Sequence, residues 1–135
     1  MFDAMKYLGI PYLRGGRSFE GADCWGLIEL YYKDVLETTI PDHRRVNEGS
    51  SAKELLRASK TAIDSGIWKP VDRKPRVHDV VLMYNLNHIN FIGHAGVIVA
   101  PGKMLHTEEH TGTVIMPIKH PAIHFRIAGV YQYVG

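Results

Sequence analysis

The 135 residues contain one cysteine, Cys24, so no internal disulfide can form and no thiolate-rich zinc site can be assembled. Cys24 is left with packing or reactivity. An excess of one charge sign is also missing. The formal net charge is +2, with acidic and basic residues interspersed, and nothing resembles the basic surface of a dedicated nucleic-acid binder. Nucleic acid is therefore not an expected partner. No uninterrupted apolar run approaches the ~20 residues needed to span a bilayer, so no membrane insertion is expected. The opening MFDAMKYLGIPYLRGG lacks a basic stretch followed by a long apolar core, and no signal peptide is expected from it. Repeats and low-complexity tracts are lacking as well. What is present is an apolar share of 45% in a chain of single-domain length, so residues 1–135 read as one domain with one core.

Helical periodicity dominates the first half. Phe2, Met5 and Leu8 fall near one face of a short helix, which Gly9, Pro11, Gly15 and Gly16 then break. The stronger pattern is Cys24, Leu27, Ile28, Tyr31 and Val35, spaced i, i+3, i+4, i+7 and i+11, with Asp23 as the natural N-cap. Ser51 and Glu54 make a capping box for a third helix through Leu55, Leu56, Ala62 and Ile63, with Gly66 as a left-handed stop. After Pro75 the period becomes extended. VHDVVLMY, HAGVIVA, KMLHT, TVIMP and FRIAGVYQYV are short, rich in β-branched and aromatic residues, and separated by turn formers. Helices followed by strands predict an α+β fold with an antiparallel sheet.

Cys24 stands at the first helical residue, where the unpaired N–H groups of a helix start favour an anion and hence a thiolate. Taken alone it reads more readily as a small core hydrophobe. A nucleophilic cysteine needs a base, and the base needs a group to orient it, which directs attention to the eight histidines. His43, His88, His110, His120 and His124 fall in loops or at strand ends, whereas His94 opens the apolar strand HAGVIVA and His106 lies on the next strand. A three-residue loop of Ala100, Pro101 and Gly102 would set Val99 opposite Lys103 and Gly96 opposite His106. His94 and His106 would then be diagonal neighbours on one face, with room left by Gly96. A loop one residue shorter or longer would separate them. No metal is expected, because no His-x-x-x-His pair falls on a credible helix.

These residues resemble the NlpC/P60 cysteine peptidases. GIPYLRGGRSFEGADCWGLIELYY is similar to the family's Pro-Tyr, Gly-Gly and Asp-Cys-x-Gly-Leu signature, VHDVVLMY to its Gly-Asp strand, and GHAGVIVAPGKMLHT to its His-x-Gly strand and hairpin. The resemblance implies a papain-like fold, with the cysteine helix packed on a small antiparallel sheet. It implies Cys24 as nucleophile, His94 as general base and His106 as the ring-orienting third residue. Tyr12 takes the position whose hydroxyl lies beside the nucleophile. Asp23 takes one that in some members holds the free amino end of the substrate.

Two residues depart from the cell-wall members: Trp25 stands where serine is usual, and His78 where glycine precedes the aspartate. A ring at position 25 would either shape or plug the cleft beside the nucleophile. The GGR preceding the cysteine and the form Asp-Cys-Trp-Gly-Leu resemble phage tail-associated peptidase domains. The implied activity is cleavage of peptidoglycan stem peptides after D-γ-glutamate, without a cofactor. The implied setting is a protein made in the host cytoplasm, carried in the virion tail with other tail proteins, and acting at the bacterial cell wall. The competing expectations are a catalytically silent tail or assembly component, and a thiol amidase or acyltransferase on the same fold.

Overall fold

The computed structural model describes residues 1–41, 60, 61, 63–85 and 92–135. The third helix expected from Ser51, and the loops holding His43 and His88, lie almost wholly outside them. Residues 60, 61, 63 and 64 are helical, and Gly66 has a φ of 80°, the left-handed stop anticipated there.

The N-terminal helix is shorter than its apolar spacing suggests. α1 spans Ala4–Tyr7, and Asp3 is its N-cap, accepting from the Met5 N–H. β1 (Arg17–Ser18) and β2 (Gly21–Ala22) form a small antiparallel hairpin. It leads directly into α2 (Cys24–Leu36), capped by Asp23. Cys24, Leu27, Ile28 and Tyr31 are buried as the spacing required, and Val35 packs against the same cluster.

A six-stranded antiparallel sheet follows: β3 (Trp68–Pro70), β4 (Val80–Tyr84), β5 (Ile92–Ala100), β6 (Lys103–Glu108), β7 (Gly112–Pro117) and β8 (Ile127–Tyr133). The short helix α3 (Pro121–His124) precedes β8. The order across the sheet is β3-β8-β4-β5-β6-β7. β3 carried no alternation long enough to be read in the sequence. It exists because Trp68 is a core residue and Lys69 pairs with Gln132 at the sheet edge.

The period-2 alternation of β5 and β6 sorts their side chains between two apolar clusters. Val97, Val99 and Leu105 join the cluster that receives α2, together with Trp25, Leu27, Tyr31, Tyr32 and Trp68. Ile98 and Met104 join Val81, Met83 and Ile123 in the second cluster. Each face therefore has its own core, and the odd residues of β5 belong to the helix side.

Candidate active site

The β5–β6 hairpin decides whether His94 and His106 meet, and it does so by a route different from the expected one. Ala100, rather than Val99, pairs with Lys103, so the loop is only Pro101 and Gly102, with Gly102 at a φ of 71°. A two-residue loop in a regular ladder would put the histidines on opposite faces. The register shifts between Ile98 and Ala100, however, and beyond that shift Ile98 pairs with Met104 and Val97 with Leu105. The bulge absorbs the odd residue and restores the side-chain phase. Gly96 leaves space, as expected, but Met104 takes it: a Cβ on Gly96 would lie 2.6 Å from the Met104 sulfur.

The outcome is a direct contact. His94 Nε2 and His106 Nδ1 are 2.9 Å apart, with both rings buried and tilted at 70° to each other. One of these nitrogens carries the shared proton. If it is Nε2 of His94, then Nδ1 of His94 keeps a free lone pair and His106 holds its own proton on Nε2, which finds no partner among the described residues.

Two residues that the sequence reading missed complete the cluster. Glu108 Oε1 is 3.7 Å from His106 Nδ1 and 3.9 Å from His94 Nε2. Arg126 grips Glu108 with both terminal nitrogens, at 3.0 and 3.2 Å, and its Nε donates to the Tyr84 carbonyl at 3.1 Å. Glu108 was readable in principle, since it lies two residues after His106 on one strand and so shares its face. Arg126 carried no local signal, because it comes from the far side of the sheet.

Burial pushes the His94 imidazolium down to about 3, opposed in part by Glu108, and His106 down to about 4 for the same reasons. Glu108 is held below the usual carboxylate range by its hydrogen bonds from Arg126 and by the two histidines, against the opposing effect of its burial. Both imidazoles are therefore neutral near pH 7, the state in which His94 can accept a proton. His94, His106 and Glu108 also offer donor atoms within 4.8 Å of one another, a set that could hold a metal. The Arg126 guanidinium, already on both Glu108 oxygens, would face such a cation with a fixed positive charge. The arrangement suits proton sharing better.

Cys24 reaches the same end of the sheet through the N-terminal segment. Gly9 N–H donates to the Thr113 carbonyl and Thr113 N–H to that of Ile10, at the start of β7 beside the end of β6. Pro11 then accepts from Ala22 N–H, Leu13 N–H donates to Ala22, and Tyr12 bridges to Ala22, two residues before Cys24. Tyr12 is half-buried. The start of α2 is thus tied to the end of the sheet at which β5 begins and β6 finishes. α2 itself packs on both strands.

Asp23 is fully buried. One carboxylate oxygen accepts from Gly26 N–H at 2.8 Å and the other from Gly15 N–H at 2.9 Å, so it caps the helix and pins the preceding loop. Gly26 is required because a Cβ there would collide with the Gly16 carbonyl. Trp25 is turned into the core, 7% exposed, with its ring edge-on to Trp68 at 5.7 Å.

The sequence model of the NlpC/P60 family matches residues 9–131. The chain belongs to the NlpC/P60 family. It is 25% identical over 132 residues to the Gamma-DL-glutamyl hydrolase of Bacillus subtilis (strain 168), covering 97% of this chain and 28% of that protein. The fold is that of an NlpC/P60 family protein from Bacillus cereus ATCC 10987, with a TM-score of 0.64 at 22% identity over 96% of this chain and 37% of that one. It also matches the NlpC/p60 domain of the peptidoglycan hydrolase SagA, with a TM-score of 0.60 at 17% identity over 96% of this chain and 92% of that one. The chain thus spans under a third of its curated relative, and the NlpC/P60 fold is the α+β arrangement described above.

Proposed function

We propose that this NlpC/P60 chain is a cysteine endopeptidase acting on peptidoglycan stem peptides at a D-γ-glutamyl bond, as one domain. The observation that carries the reading is the buried 2.9 Å contact between His94 and His106 at the sheet end where α2 begins with Cys24. The kinship with a γ-glutamyl hydrolase supports the choice of bond.

His94 and His106 have the strand phase of Ile98 and Met104, so they lie off the face that carries the body of α2. The start of α2, with Cys24, is tied to the same end of the sheet. Cys24 gives its proton to Nδ1 of His94, and the sulfur attacks the scissile carbonyl. The Nε2–H of His94 stays directed at His106, which keeps the ring oriented as charge arrives. The imidazolium then protonates the leaving amine, and water, deprotonated by the same imidazole, releases the acyl product. N–H groups at the start of α2, including that of Cys24, are the oxyanion donors, with the Tyr12 hydroxyl beside them. Asp23 contributes through the cap that fixes the first turn, and a contact with the substrate amine would add to that role.

The finer setting, a phage tail-associated wall hydrolase working beside other tail proteins, rests on Gly15-Gly16-Arg17 and Asp23-Cys24-Trp25-Gly26-Leu27. Purified peptidoglycan incubated with wild type and Cys24→Ala tests the activity. Fragments ending in D-glutamate should appear by mass spectrometry with wild type alone. Equal, background-level release from both proteins would end the peptidase reading and leave the silent-component alternative.

A further inference from the structure

We propose that Glu108 is a positioning residue of the site, a carboxylate clamped by Arg126 so that its fixed negative charge steadies the cation formed on His94 when Cys24 gives up its proton. This rests on the Cys24–His94 reading above and deepens it from a triad to a four-residue device with a cationic clamp.

The geometry separates Glu108 from an ordinary strand-end salt bridge in three ways. Its Oε1 is nearly equidistant from the two nitrogens that share the proton, at 3.7 and 3.9 Å. These lengths exceed a hydrogen bond, so Glu108 does not compete with His106 for the His94 proton, yet they are short for two charges in a buried place. The carboxylate also has little freedom to turn, since both oxygens are held by a guanidinium that is itself 3% exposed and anchored on the Tyr84 carbonyl. Third, besides Cys24 itself, the charged and titratable groups among the described residues that act on His94 are Glu108 and His106 from β6, His110 from the following turn, and Arg126 just before β8. Of these, Glu108 alone favours the cation. A histidine pair by itself makes a poor home for a positive charge, because the second ring is neutral and both rings are buried. An adjacent anion answers that need, and Arg126 keeps the anion ionised and aimed when His94 is neutral.

The same pair also ties β6 to the start of β8, so the test must separate charge from scaffolding. Cys24 alkylation by iodoacetamide does so without a substrate. Near pH 6 the thiolate exists only as a pair with the imidazolium, whereas near pH 10 it needs no imidazolium. Glu108→Gln keeps an oxygen for Arg126 and loses the charge. It should slow alkylation near pH 6 by about tenfold, the equivalent of one pKa unit, and leave the rate near pH 10 within about twofold of wild type. Glu108→Asp, which keeps the charge, should hold the pH 6 to pH 10 ratio close to that of wild type. Should Glu108→Gln strand Arg126 and unfold the chain, Glu108→Gln/Arg126→Met removes both charges together and should still lower the ratio. A wild-type ratio in the folded charge-free variants overturns the proposal. If His94→Ala also leaves the pH 6 rate at the wild-type value, the Cys24–His94 pairing itself fails and the proposal falls with it. If His94→Ala slows alkylation and the charge-free variants do not, Glu108 alone is at fault.

Discussion

The Tyr31 hydroxyl lies 2.8 Å from Nδ1 of His78 and joins α2 to the turn that enters β4. The neighbouring Tyr32 hydroxyl donates to the carbonyl of His78, whose own N–H donates to Ile98. Together these bonds hold a histidine at a φ of 82°, in the left-handed region where glycine is favoured. The departure from the family's Gly-Asp pair is thus offset by one contact a glycine could not make, that of the Tyr31 hydroxyl with the ring. Asp79 completes the turn, accepting from Arg73 and from the Arg76 N–H, both at 2.7 Å.

Position 78 should accordingly rank its substitutions by backbone rather than by size. His78→Ala keeps the strained φ and loses the Tyr31 bond, whereas His78→Gly loses the bond and relieves the strain. Urea denaturation should find His78→Ala the less stable of the two by about 1 kcal/mol. An alanine variant as stable as the glycine one would show that the turn relaxes.

The chain should lose stability in acid through its buried histidines. His94 and His106 are lowered from 6.5 to about 3 and about 4, so below pH 6.5 the unfolded chain takes up protons before the folded one does. Their contribution is complete above pH 6.5 and is lost as pH falls toward those values. Glu108, with its lowered carboxyl, adds a loss in the same direction at the acid end. The slope of unfolding free energy against pH between 6.5 and 4 should be shallower in His94→Asn/His106→Asn than in wild type. Parallel slopes would mean that the pair is solvated.

Asp23 should behave first as a helix cap. Asp23→Ala removes the acceptor for both Gly26 and Gly15 and should cost about 1–2 kcal/mol, with Asp23→Asn costing less. If Asp23 also holds a substrate amine, Asp23→Asn should raise KM for peptides with a free amino end over blocked ones. An equal effect on both would limit it to the cap.

Trp25 should report on the core. Trp25→Ser, which restores the residue usual in cell-wall members, opens a cavity against Trp68 and should cost about 3 kcal/mol or more. A serine variant with unchanged stability and raised activity would place the ring over the cleft instead.

Much of this was legible in the residues. The i, i+3, i+4 stripe from Cys24 located α2 and its Asp23 cap, because both depend on neighbours within one turn. The β4 to β8 strands followed from short alternating runs. The partnership of His94 with His106 was also foreseeable, although the loop that achieves it is two residues long and is corrected by a bulge. A bulge leaves no mark that distinguishes it from a longer turn, since Ala100, Pro101 and Gly102 fit either.

The sequence by itself determined the α+β class, the capped helix start at Cys24, and the pairing of His94 with His106. These rest on spacings within one element or across one hairpin. Only the tertiary structure decided that Trp25 faces the core and that His78 is held by Tyr31. It alone brought Arg126, just before β8, to fasten Glu108 beside the histidine pair. Such contacts join residues from 18 to 47 positions apart, and chain separation of that size carries no periodic signal. Which distant side chains meet is set by how the sheet orders its strands and how α2 lies on them.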